Sequence, residues 1–141
     1  MNVAVVTKNL RFETRGDTDV IDVTDEVARC VAESGLSSGT ATVFIPGSTA
    51  GVTTIEYESG AVRDFSEAVD RIAPRGIHYH HDARWGDGNG YSHVRAALQG
   101  ASLTVPFSSS KLLLGTWQQI IVVDFDNRPR SREVIIQIVG E

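Results

Sequence analysis

The chain has 141 residues, 41% of them hydrophobic and 22% charged, with a formal net charge of −5. That length supports one domain with a real core and is too short for two ordinary ones. The acidic balance excludes broad attachment to nucleic acid or an anionic membrane through a basic surface, and no apolar run is long enough to span a bilayer. The opening Met1-Asn2-Val3-Ala4-Val5-Val6 lacks the charged region and cleavage site of a signal peptide. The single Cys30 has no partner for an internal disulfide, so a cytoplasmic location is the expectation.

In chain order, Val3 to Thr7 and Leu10 to Thr14 read as two short strands. Asp22-Val23-Thr24-Asp25 reads as a helix start, with polar caps and acids in the first turn. Val23, Val27, Cys30 and Val31 then share one helical face, and Gly35 ends the helix. Thr40 to Ile45 and Val52 to Tyr57 are β-branched, apolar runs that form either a hairpin or adjacent strands. Val62, Phe65, Val69 and Ile72 define a second amphipathic helix, stopped by Pro74. Asn89 caps a third, with Val94, Ala97 and Leu98 inward and Gly100 at its end. Ser102 to Pro106, Leu112 to Leu114, Gln118 to Phe125 and Glu133 to Val139 are strand candidates, with Ser108-Ser109-Ser110 a polar hairpin turn and Asn127 to Arg130 another turn. The order predicts an α+β domain spanning residues 1–141, with mostly antiparallel sheet and about three helices. Gln118 to Phe125 and Glu133 to Val139 are apolar on both faces, as expected of a central strand or of one covered by a partner subunit.

Few residues suggest chemistry. In an extended segment His78 and His80 share one face and Tyr79 and His81 the other, so at most one or two enter a common site. No metal-ligand spacing is complete locally. His93 lies in the first turn after Asn89, where the helix dipole favours anions and a neutral imidazole. It is either a surface histidine or a group able to bind a metal or accept a proton. Glu56 is either on the solvent face of its strand or a buried acid with a partner. Arg128, Arg130 and Arg132 alternate and project to one side when extended; they are either a solvated turn or forks for a phosphate or carboxylate. Cys30, on an inward helix face without a basic neighbour, is a packed thiol, and nucleotide-binding templates fail.

Taken together, several motifs resemble the YjbQ-like family over nearly the whole chain. They are Asp87-Gly88-Asn89 with His93 four positions on, Leu98-x-Gly100-x-Ser102-x-x-Val105-Pro106, Leu112-x-Leu114-Gly115-Thr116-Trp117-Gln118 and Arg128-Pro129-Arg130-x-Arg132. Thr49 to Thr53, Glu56, Tyr79 and His81 fit in the same order. The resemblance implies two packed β-sheets, a homotrimer, and a cleft lined by the polar motif residues with a divalent metal, zinc first among the options. It also implies a weak, secondary thiamine-phosphate-synthase activity, which joins a pyrimidine diphosphate to a thiazole phosphate and releases pyrophosphate. On that reading His93, Asp87 and Glu56 are catalytic, and His81 and His93 hold the metal. Asn89, Thr116, Trp117, Gln118, Arg128, Arg130 and Arg132 bind a phosphorylated small molecule.

The chain departs from the family pattern at one important place. Gly47 occupies the position of a family histidine, Ile55 replaces an asparagine, and Trp85 and one extra residue alter the loop before Asp87. Either His78, His80, Asp82 or Glu56 supplies the missing metal ligand, or metal binding and activity are weakened. Two functions follow as expectations: a weak enzyme acting on a phosphorylated small molecule, or a non-catalytic homotrimer that binds a small anion or metal. Neither nucleic acid nor membrane is expected as a partner.

Overall fold

The computed structural model describes residues 2–141. Eight strands and four helices follow one another as β1 (Ala4–Thr14), β2 (Asp19–Asp22), α1 (Thr24–Glu33), β3 (Gly39–Phe44), β4 (Ala50–Ile55), α2 (Ser59–Ile72), α3 (His80–Trp85), α4 (Gly90–Gln99), β5 (Ser102–Ser108), β6 (Lys111–Leu112), β7 (Gln119–Asp124) and β8 (Arg130–Gly140). They build two wholly antiparallel sheets, one ordered β1-β8-β3-β5-β6 and a smaller one ordered β2-β7-β4. The expected α+β architecture with two packed sheets is the one observed.

The main core lies between the sheets. Val134, Ile136 and Ile138 of β8 and Ala41 and Val43 of β3 meet Ile120 and Val122 of β7 and Val52 of β4, with Val23, Val27 and Val31 of the α1 region closing one end. The opposite face of β7 carries Ile121, Val123 and Phe125, which pack under Phe65 and Val69 of α2 and Ala96 of α4. Strand β7 is therefore buried on both faces because it is central in its sheet and covered on both sides. Strand β8 is central too, yet only its inward residues are fully buried; Gln137 and Val139 face outward.

Several local expectations change. The first two strands are one, because all eleven residues of β1 pair with β8 and the Lys8-Asn9 pair stays in register. The runs in β3 and β4 are not neighbours. The link after Ile45, through Gly47 at φ +120°, carries the chain from one sheet to the other. Strand β2 has no counterpart in the sequence reading, where Asp22 opens a helix; its four residues find partners on β7. The segment around His80 and His81 is a short helix rather than extended. Helix α4 buries Tyr91, Ser92, Arg95 and Ala96, whereas Val94, Ala97 and Leu98 are exposed. The face turns because Arg95 goes inward: its guanidinium donates to the Ala73 carbonyl, Thr18 Oγ1 and Asp70, and lies 4.9 Å from the Tyr91 ring centroid. A buried guanidinium with every neighbour satisfied outweighs the simple apolar periodicity of α4.

Candidate functional site

Strand β7 ends at Asp124 and is followed by Phe125-Asp126, and β8 begins at Arg130-Ser131-Arg132, four residues after Asp126. Both acids are fully buried. Burial of two carboxylates is tolerated only with donors and countercharges, and the neighbouring arginines supply them. Arg132 makes a two-pronged contact with Asp124, at 2.8 and 2.9 Å, and donates to Thr49 Oγ1 at 2.6 Å. Thr14 Oγ1 donates to Asp124 at 2.6 Å. Asp126 accepts from Arg130 Nε at 2.9 Å, Thr49 Oγ1 at 3.0 Å and Asn89 Nδ2 at 3.2 Å. Burial pushes the Asp126 carboxyl up, but the donations from Asn89, the Asn127 amide, Thr49 and Arg130 together outweigh it and hold the group below its ordinary value.

This framework forms the floor of a pocket of about 370 Å³. Above it, α3 delivers His81 and α4 delivers His93, their ring centroids 4.3 Å apart. Asn89 precedes α4 but does not cap it. Its amide nitrogen is used on Asp126, and its Oδ1 is buried with no partner. Because Asp126 only accepts, the amide orientation follows, and the orphaned atom is an acceptor. His81 Nδ1 is likewise buried without a hydrogen bond, 3.4 Å from Asp87 and 3.5 Å from Asp82. Burial lowers the His93 pKa below its ordinary value, with His81 adding to the effect and Asp87, Asp126 and Asp82 opposing it. The neutral imidazole at this helix start thus follows mainly from desolvation, not from the dipole argument alone.

The pocket gathers six of the residues singled out in the sequence, His81, Asp87, Asn89, His93, Arg130 and Arg132, from three segments of the chain. It does not gather the others. Glu56 is exposed beyond β4; its neighbour Glu58 caps α2 by accepting from the Gly60 and Ala61 amides. Thr116, Trp117 and Gln118 are exposed at the opposite end of β7, a strand about 20 Å long. There Gln118 joins Gly115 and Thr54. Arg128 lies exposed in the loop before β8. The regular alternation that aligns three arginines holds only from Arg130, where β8 begins.

The sequence reading missed Asp124, Asp126 and the supporting role of Thr49. The signal was present as Asp-x-Asp after a wholly apolar run, followed by Arg-x-Arg: two acids that a buried strand end cannot carry without cations. A separate concavity of about 310 Å³, between α2 and α4, is walled by Phe65, Val69, Ile72 and Leu98 with Thr53, Arg95 and Gln99, and its Arg95 guanidinium is already committed to Ala73, Thr18 and Asp70.

A family model described as UPF0047 protein YjbQ-like matches residues 8–141. The chain belongs to the YjbQ-like UPF0047 family. A UPF0047 protein of Archaeoglobus fulgidus is 38% identical over 128 residues, covering 91% of this chain and 97% of its own. YugU of Bacillus subtilis, another UPF0047 protein, is 34% identical over 135 residues, covering 94% and 98%. The crystal structure of a YbjQ-like protein of unknown function from Sulfolobus solfataricus superposes with a TM-score of 0.95 at 28% identity, over 99% of this chain and 100% of that one. An uncharacterized protein of the family from Clostridium acetobutylicum gives 0.85 at 36% identity, covering 93% and 98%. The family assignment thus extends to the fold. No helix among the described residues is long and apolar enough to cross a membrane.

Proposed function

We propose that the pocket binds a phosphorylated small molecule together with a divalent cation. The observation that carries this reading is the pocket's mixed polarity. Arg130 and Arg132 line the pocket together with His81 and Asp87, and Asp82, just outside the lining, completes with those two a set of ligand atoms within 4.8 Å of one another. One imidazole and two carboxylates suit zinc or a similar ion, and the unpartnered His81 Nδ1 is the donor such an ion would take. Asp82, not a histidine, then stands where Gly47 leaves the family set short. A bound cation would polarise a phosphoryl oxygen. Arg130 would bind and orient the phosphate, and the neutral His93 would accept a proton at the pocket wall.

The finer reading is a weak transferase of the thiamine-phosphate-synthase type. Its support is the family resemblance together with the two arginines that line the pocket. A non-catalytic binding protein is the second reading. It is favoured because Arg130 and Arg132 already spend most of their donors on Asp124, Asp126 and Thr49. Association as a homotrimer belongs to the same proposal. The number three comes from the resemblance, and the exposed Val94, Leu98 and Ile72 supply apolar surface for it.

Elemental analysis of protein purified without chelator tests the cation. One ion per chain is expected, lost in His81→Ala; no ion in the parent chain would sink this half of the reading. Light scattering on the same sample should give a mass near three times 15.3 kDa, and a monomer would contradict the trimer.

A further inference from the structure

The polar pocket does not end at His93. A second cavity of about 310 Å³ adjoins it and shares Gly47, Ser48 and His93 as its wall. Beyond that wall every lining side chain is an alanine or absent: Ala50 from β4, Ala96 and Ala97 from α4, then Gly100 and Ala101. The cavity carries no charged group apart from the imidazole of His93 on the shared wall. Gly47, at φ +120°, is the junction. Gly47 lines both cavities, and a Cβ there would meet only Arg132 Nη1, at 3.0 Å, so no side chain of its own stands between them.

An anion alone would leave the apolar half filled with poorly held water. A cavity of about 150 Å³ with apolar walls already accommodates benzene, so this one has room for a single ring with short substituents. It has no further charge to meet a second phosphate or a zwitterion. Uncharged, alanine-lined walls favour carbon over polar surface.

We propose that the ligand is a compact organophosphate with one phosphoryl group and a small uncharged carbon skeleton, the phosphoryl lying at Arg130 and Arg132 and the skeleton crossing Gly47 into the alanine-lined cavity. This rests on the phosphate reading of the polar pocket and adds the nature of the rest of the molecule. It separates single-ring or short-chain phosphate esters from nucleotides, whose sugar and second phosphate have no counterpart beyond His93.

The test compares inorganic phosphate with phenyl phosphate by calorimetric titration of the full chain. Phenyl phosphate is expected to bind at least about tenfold more tightly, the effect of removing on the order of 60 Å² of ring surface from water. Ala97→Leu and, as a second variant, Ala97→Phe fill the cavity to different extents from an exposed helix position that does not line the polar pocket. In either variant the advantage of phenyl phosphate should vanish while inorganic phosphate binds as before. Equal affinities in the parent chain, or an advantage that survives both substitutions, would overturn the inference and leave the phosphate site standing. Binding of neither ligand would remove the phosphate reading, and this inference with it.

Discussion

At the residue scale, the site is decided by how two buried acids are neutralised. Asp124 depends on Arg132, which is itself only 8% exposed. Arg132→Met removes a charge from a buried, hydrogen-bonded pair and leaves Asp124 uncompensated. A loss of about 3–5 kcal/mol is expected from that kind of change, read as a fall in the urea midpoint. A loss under about 1 kcal/mol would mean that the pair is not the framework described here. His93 gives a second residue-level consequence. Its pKa is lower in the folded chain than in the unfolded one, so the unfolded state takes up the proton first. The neutral imidazole therefore carries no penalty above the ordinary value of about 6.5, and stability declines as pH falls from there through the folded pKa. Stability measured by urea between pH 7.5 and 5 should fall more steeply in the parent than in His93→Asn. Parallel curves would count against desolvation of this imidazole. The helix-start location of His93 was legible in the sequence. Its desolvation was not, because the group above it, His81, arrives from a segment that reads as extended and folds as a helix.

At the scale of elements, periodicity served where one face meets an apolar layer and failed where a polar group is buried. Val27, Cys30 and Val31 of α1 are buried as their spacing requires. On α4 the spacing points to Val94, Ala97 and Leu98, yet Arg95 enters the interior because Ala73, Thr18, Asp70 and Tyr91 receive it. No local pattern encodes partners drawn from two other parts of the chain, the end of α2 and the Thr18 turn. The hairpin between β5 and β6 is the opposite case. Ser109 and Ser110, at φ +52° and +59°, form the two-residue turn expected of a polar Ser-Ser-Ser run. Both residues adopt the left-handed conformation that serine tolerates poorly, as a type I′ turn demands. Ser110 is committed through its hydroxyl to the Leu36 carbonyl, but the Ser109 side chain is exposed. Ser109→Asn should stabilise the protein by roughly 0.5 kcal/mol, seen as a higher midpoint in thermal unfolding. A lower midpoint would mean that the turn is not of this type.

At the scale of the whole molecule, the two-sheet core places the ends of β7 and β8 under α3 and α4, and that stacking makes the pocket. The family and its α+β sandwich could be read from motifs distributed along the chain. The motifs could not be sorted into one place: Gly115 to Gln118 lies at the far end of β7 from the Asp87 to His93 segment. Gly47 illustrates the same limit. In sequence it is a missing histidine; in the fold it is part of the wall shared by a polar and an apolar cavity. A phosphate held beside a divalent cation is tested, both parts at once, by one titration. Inorganic phosphate titrated into zinc-loaded chain should bind once per chain, and Arg130→Gln should weaken it by about tenfold, the effect of one charge-assisted contact. Stripping the zinc should weaken it further. The same affinity in parent, Arg130→Gln and zinc-free protein, or no binding to the zinc-loaded parent, would contradict the account.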